Sequence, residues 1–255
     1  MAAVGVEFAK VSYTLPVGAD GQPGRTLLRD VSLRLEAGTT TALLGRSGSG
    51  KTTLLRMVNG LVTPTAGEVC VGGKPVGAHD TVALRRSVGY VIQETGLFPH
   101  MTVERNAGMA LELAGRSRAD IAARSAEVLG LVGMDFAEFS DRYPWQLSGG
   151  QRQRVGLARA LALEPDVLLM DEPFGALDPL TRAEMQTMLR DLLQRVGKTV
   201  LLVTHDLDEA LYLAERVVFL ANGEVAADLA AREVLISNNP QVKDYVSAVH
   251  RAVPA

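Results

Sequence analysis

Short runs of continuous apolar residues alternate along this chain with segments of helix formers. Val167-Leu168-Leu169-Met170 and Val200-Leu201-Leu202-Val203 are unbroken apolar stretches. Such runs belong to parallel strands covered on both faces, whereas a half-exposed strand would alternate. The pattern predicts strands over residues 4–11, 31–35, 40–44, 68–71, 88–92, 167–170, 199–204 and 216–221. It predicts helices over residues 51–61, 121–132, 151–163, 179–196 and 206–214, with a helical tail over 241–249. Between residues 96 and 163 the strand signal gives way to helix formers, so that span reads as a helical insertion into an α/β core. Residues 15–24 hold two prolines and three glycines and read as a surface loop. There is no internal repeat.

Composition narrows the class. With 255 residues, 47% of them hydrophobic, the chain can bury a substantial core as one α/β domain, with or without a subdomain. A net charge of −3 argues against nucleic acid as the main partner. The lone cysteine, Cys70, is expected to be a buried thiol. Residues 1–7 lack the charged and apolar regions of a signal peptide, and no apolar run approaches the roughly 20 residues of a membrane span. A cytoplasmic polypeptide is the expectation.

Gly45-Arg46-Ser47-Gly48-Ser49-Gly50-Lys51-Thr52 is a complete G-x-x-x-x-G-K-T phosphate loop. An apolar run, Thr40-Thr41-Ala42-Leu43-Leu44, leads in, and helix formers beginning at Thr53 lead out. Strand, glycine turn and helix are the setting in which backbone N–H groups wrap a polyphosphate and a helix dipole faces the same anion. Lys51 would reach the β- and γ-phosphates, and the Thr52 hydroxyl would ligate magnesium.

A second constellation is the apolar strand that ends in Asp171-Glu172. Asp171 can hold the magnesium shell, and Glu172, pointing elsewhere, can orient or deprotonate an attacking water. Taken alone, this pattern also fits an ordinary strand end followed by a helix cap.

Leu147-Ser148-Gly149-Gly150-Gln151 precedes the helix-forming run 152–161. With this pentapeptide the chain resembles the ATP-binding subunit of an ABC transporter, whose signature motif it matches without substitution. Other elements of that family follow in order: Gln93 at the Q-loop, Gly175-Ala176-Leu177-Asp178 at the D-loop, His205 at the switch position, and Tyr13 where an aromatic ring stacks on adenine. Gly175 departs from the serine often found there. Each residue also has a plainer reading. Gln93 could simply end a strand, His205 could precede a helix N-cap, and Tyr13 could be an ordinary strand aromatic. His79, His100 and His250 match no motif and are assigned to surface or loop. Trp145 is expected to pack the helical region, and Arg152 and Arg154 to lie on a solvated helix face.

The resemblance implies a P-loop NTPase (RecA-like) α/β core with a mostly parallel sheet, an N-terminal antiparallel β subdomain and an inserted helical subdomain. Residues 1–94 and 164–255 would form the core and 95–163 the signature subdomain. It implies ATP held by Tyr13, Gly45 to Thr53, Gln93, Ser148, Gly149, Gly150, Gln151 and Asp178. Mg2+ would be held by Thr52, Gln93 and Asp171, with catalysis by Glu172, His205 and Lys51. The implied partners are a second copy paired head to tail, a separate transmembrane permease and, indirectly, an extracytoplasmic substrate-binding protein, with no nucleic acid. The implied location is cytoplasmic, peripheral on the inner face of the cell membrane. The stretch 93–103, with Asp141-Arg142-Tyr143-Pro144, most resembles cassettes that import quaternary-amine osmoprotectants. Cassettes for amino acids, sulfonates or nitrate share parts of it, and exporter cassettes and soluble ABC ATPases remain alternatives.

Overall fold

A computed structural model describes residues 3–16 and 24–249 of the chain. Most of the surface loop expected at 15–24, and His250, therefore lie outside the described residues. In chain order the elements are β1 (Val6–Thr14), β2 (Thr26–Leu35), β3 (Thr40–Leu44), α1 (Lys51–Val58), β4 (Ala66–Val71), β5 (Lys74–Pro75), α2 (Thr81–Ser87) and β6 (Val88–Val91). They continue with α3 (Val103–Leu113), α4 (Arg118–Leu131), α5 (Phe136–Phe139), α6 (Gly149–Leu161), β7 (Val167–Asp171), α7 (Pro179–Val196), β8 (Thr199–Val203), α8 (Leu207–Leu213), β9 (Arg216–Ala221), β10 (Glu224–Ala230) and α9 (Pro240–Val249). The chain forms two compact units, one over Val82–Lys198 and one combining Val4–Thr81 with the chain from Thr199 onward.

In the second of these units, β1 pairs antiparallel with both β2 and β4, and β4 pairs with β5. The strand β3 lies parallel between β8 and β9, and β10 returns antiparallel along β9. All five residues of β3 and of β8 are buried, which is why both read as continuous apolar runs. By contrast β2 alternates buried and exposed positions over Val31–Leu35, the mark of one solvated face. Ala42, Leu44, Leu207, Phe219, Val234 and Val242 meet in one core cluster.

In the other unit, β6 and β7 run parallel, and α3, α4 and α6 pack on one another. Local signals set two helix starts. Asp178 caps α7, its Oδ1 accepting from Thr181 N at 3.1 Å, with Pro179 at the first helical position. Gly197 ends that helix at φ 56°, the left-handed conformation that glycine adopts cheaply. Ser148 caps α6 in a reciprocal box: Gln151 N donates to Ser148 Oγ at 3.2 Å, and Ser148 N donates to Gln151 Oε1 at 2.8 Å.

Three expectations change. Trp145 does not pack the helical region: it is 65% exposed and stacks on Tyr143 at 4.5 Å. Arg152 and Arg154 are half-buried, donating to the carbonyls of Leu147 (2.7 Å) and Val132 (2.6 Å). They tie loops to α6 rather than decorating a solvated face, because long guanidinium stems can bury while their heads find backbone acceptors. Cys70 is half-buried rather than buried. Burial and then the neighbouring Glu68 carboxylate raise its thiol pKa, so it holds little thiolate at neutral pH.

Candidate functional site

The phosphate loop is built where β3 ends. Gly45 sits so close to β9 that a Cβ there would lie 2.3 Å from the Leu220 carbonyl oxygen, so only glycine lets the loop leave the strand at this point. Lys51 is 5% exposed, and its Nζ folds back to donate to Gly45 O at 2.7 Å and Arg46 O at 3.1 Å. Those contacts hold an ammonium over the loop. Helix α1 starts at Gly50 (φ 98°) with no side-chain cap, and its Leu54, Leu55, Met57 and Val58 are fully buried. The core thus fixes a helix whose positive end faces the loop. Ser49 Oγ is buried without a hydrogen-bond partner, and space is open above Gly48. An uncapped helix end, a cation and an orphaned hydroxyl suit a polyphosphate. Thr52 and Thr53 are half-buried on the first turn of α1, and Arg46 and Ser47 are exposed.

In the same unit, Tyr13 is half-buried on β1, opposite Leu28 of β2. His205 is exposed, two residues beyond the end of β8. The next residue, Asp206, caps α8, its Oδ1 accepting from Glu209 N at 3.1 Å, so His205 does precede a helix N-cap, as its plainer reading has it.

The unit over Val82–Lys198 carries the carboxylates. Asp171 closes β7 at 3% exposure, with Tyr90 Oη donating to its Oδ2 at 3.4 Å. Glu172 follows at φ 46°, a left-handed conformation that costs a non-glycine residue on the order of 1 kcal/mol or more. Gln93 Nε2 donates to Glu172 Oε2 at 3.4 Å, near the long limit of a hydrogen bond. The structure therefore brings together Gln93 and Glu172, which lie 79 residues apart.

The signature sits on the first turn of α6. Ser148 is exposed and Gly149 half-buried. Gly150 is buried, and a Cβ on it would meet Thr181 Cγ2 at 2.6 Å. The Gln151 carboxamide oxygen works in the helix cap, as above. Asp178 is exposed, and its pKa is lowered chiefly by hydrogen bonds from Thr181. Sequence reasoning missed three positioning groups. Arg159 donates from Nη1 to Gly96 O and from Nη2 to Thr95 O, both at 2.7 Å, and burial lowers its pKa. Buried Gln153 donates to the Pro173 carbonyl, beside Glu172. Tyr90 is the third. All three follow from tertiary contact, and no spacing in the sequence announces them. Among the described residues no group of three or more His, Cys, Asp or Glu is arranged to hold a metal.

The family model described as "ABC transporter" matches residues 28–175. The chain belongs to the ABC transporter family. Within it, the carnitine transport ATP-binding protein OpuCA of Listeria monocytogenes serotype 1/2a (strain 10403S) is 44% identical over 224 residues, 88% of this chain and 56% of that protein. The glycine betaine uptake system ATP-binding protein YehX of Escherichia coli (strain K12) is 48% identical over 198 residues, covering 78% and 64%. A sulfate/thiosulfate import ATP-binding protein of Nocardia farcinica (strain IFM 10152) is also 48% identical over 198 residues, covering 78% and 59%. The chain thus spans little more than half the length of the carnitine relative. Among solved structures, a dimeric ATP-binding cassette in a post-hydrolysis state with ADP and Pi superposes with a TM-score of 0.78 at 34% identity, covering 89% of this chain and 99% of that one. The fold is accordingly the α/β P-loop NTPase fold of these cassettes. No described helix is long and apolar enough to cross a membrane.

Proposed function

We propose that this chain is the ATP-hydrolysing subunit of an ABC importer, that it pairs with a second copy on ATP, and that it drives solute entry through a separate permease. The observation that carries the reading is the signature at a capped helix N-terminus in a chain that already has a phosphate loop. Two anion-receptive helix ends per chain are what a head-to-tail pair of cassettes uses, each chain holding one polyphosphate in its loop and offering Ser148, Gly149 and Gly150 to the partner's. The functional division we assign is a nucleotide-binding core over 1–94 and 164–255 and a helical signature subdomain over 95–163.

In this scheme the loop from Gly45 to Thr53 and Lys51 cradle the phosphates, and Tyr13 stacks on the base. Thr52, Gln93 and Asp171 supply a hydroxyl, a carboxamide oxygen and a carboxylate, the hard oxygen donors that Mg2+ takes. Bound there, the cation would neutralise charge on the phosphates. Glu172, which accepts from Gln93, orients the attacking water and takes its proton. His205 holds the γ-phosphate, and Asp178 at the head of α7 couples the paired sites. Gln93, bonded to Glu172, relays occupancy to the permease. Phosphoryl transfer depends mainly on positioning and electrostatics, so loss of one such group is costly.

For the solute we propose quaternary amines such as carnitine, glycine betaine or choline. The stretch 93–103 and the names of the carnitine and glycine betaine relatives support this choice. The equal identity to a sulfate/thiosulfate cassette favours a second reading, import of an oxyanion. The cassette would lie on the cytoplasmic face of the membrane, bound to the permease and serving a substrate-binding protein on the other side.

Glu172→Gln tests the chemistry: it should bind ATP, turn over at least about a hundredfold more slowly, and accumulate as a dimer by light scattering. Persistent monomer with ATP, or near-native turnover, refutes the assignment. The same variant, tagged and recovered with ATP from detergent-solubilised native membranes, should bring a multi-span permease. Titrating the associated binding protein with betaine, carnitine, choline and sulfate then separates the two solute readings.

A further inference from the structure

The last helix is bound to the backbone of His205. Tyr245, on α9, donates from Oη to the His205 carbonyl at 2.6 Å, across 40 residues of sequence. Its ring meets Phe219 of β9 edge-on, with centroids 5.6 Å apart. The helix is anchored at its start as well. Asn239 Oδ1 accepts from Gln241 N at 2.9 Å and Val242 N at 3.3 Å, while Asn239 Nδ2 donates to Ala226 O at 3.0 Å. Val242 is fully buried in the same cluster as Leu207 and Phe219. Helix α9 is therefore packed into its unit rather than laid on it.

The bond from Tyr245 lands on the peptide that joins His205 to Asp206. The nitrogen of that peptide is held from its other side, Asp206 N donating to Thr204 Oγ1 at 3.0 Å. With oxygen and nitrogen both bonded, the peptide plane is restrained, and with it the backbone that carries the His205 side chain. The same helix lines a cleft of about 760 Å³ through Gln241, Asp244 and Tyr245, and the Gly45–Ser49 stretch of the phosphate loop lines it too. One element thus touches the His205 backbone and shares a cleft with the loop assigned to phosphate.

We propose that Tyr245 is a positioning residue for His205: its hydroxyl pins the 205–206 peptide so that the imidazole is presented for hydrolysis, which makes α9 a lever on turnover rather than on ATP binding. The inference rests on the role given to His205 under the proposed function. It assigns to α9 a regulatory input, because anything that lifts α9 off β9 frees the His205 peptide while leaving the phosphate loop intact.

Tyr245→Phe is the test, since it keeps the ring against Phe219 and removes only the donor. The expected result is a kcat lower by about fivefold, the scale of one lost hydrogen bond, with KM for ATP changed by less than about twofold. The imidazole resonances of His205 should move in a 1H–15N spectrum while those of His79 and His100 stay in place, and the urea midpoint should be nearly unchanged. A wild-type kcat with an unmoved His205 signal overturns the inference. So does a fall in kcat accompanied by global destabilisation and shifts at every histidine, which would mark ordinary packing. His205→Ala, measured alongside, separates the two layers. If that variant retains turnover, the role of His205 itself fails. If it is inactive and Tyr245→Phe behaves as wild type, only the inference about α9 fails.

Discussion

Arg159→Met removes a clamp that holds the Thr95-Gly96 turn to α6. The two guanidinium bonds, both 2.7 Å, end on the carbonyls of Thr95 and Gly96. Those residues have φ values of 41° and 55°, and a β-branched threonine reaches that region only under constraint. Each hydrogen bond to a charged group contributes about 1.5–3 kcal/mol in favourable cases. Three effects reduce the net loss. Gly96 is exposed, so water can replace the donor to its carbonyl. Methionine keeps the apolar stem packed, and the freed Thr95 relaxes out of strain worth about 1–3 kcal/mol. A net destabilisation of about 1–2 kcal/mol remains, a sizeable part of the 5–15 kcal/mol typical of a domain. The larger signature should be local. Phe98 N, which donates to Asn106 Oδ1 at 2.8 Å, follows the turn the clamp holds. Hydrogen exchange over residues 92–99 should therefore accelerate by about tenfold, with peptides of α4 unchanged. Because Gln93 and Glu172 touch through this segment, kcat should fall while ATP affinity holds. Unchanged exchange over 92–99 would refute the clamp, whatever happened to global stability.

Gly150→Ala should destabilise by about 1–3 kcal/mol through overpacking, since the new Cβ would lie 2.6 Å from Thr181 Cγ2. Thr181→Ser, which deletes that methyl, should restore much of the melting temperature, and failure to rescue would place the cost elsewhere. Asp178 caps α7 with a pKa held below its ordinary 3.8 by Thr181. A depressed carboxylate contributes stability that is fully present above the unfolded-state pKa and lost as pH falls through the folded one. Asp178→Asn keeps a capping oxygen but cannot titrate, so its unfolding midpoint should fall less than that of the wild type below about pH 4. Parallel curves down to about pH 2 would show that the cap does not carry this linkage.

Much of the fold could be read from the chain because its code is local. The bounds of β3, β9 and α7 follow from an unbroken apolar run or from a cap, a proline and a closing glycine. The phosphate loop and the signature are likewise contiguous strings, each legible without knowing what folds against it. The edge strand β10 had a local sign that went unread: Asn222-Gly223, at φ 53° and 82°, is the turn pair that links two strands of a hairpin. The alanines and Asp228 that follow have weak strand propensity, and pairing with β9 overrode it. Other features had no sign to read. The meeting of Gln93 with Glu172, the hold of Arg159 on Thr95 and Gly96, the tie of Arg154 to Val132, and the bond from Tyr245 to His205 join residues far apart in sequence. All but the first end on backbone carbonyls, and every residue carries one, so side-chain identity does not mark the acceptor. The sequence by itself determined which groups could bind phosphate and where β3, β9 and α7 would form. Only tertiary packing decided which carbonyls the long polar side chains would reach, and therefore how rigidly the turns beside Gln93 and His205 are held.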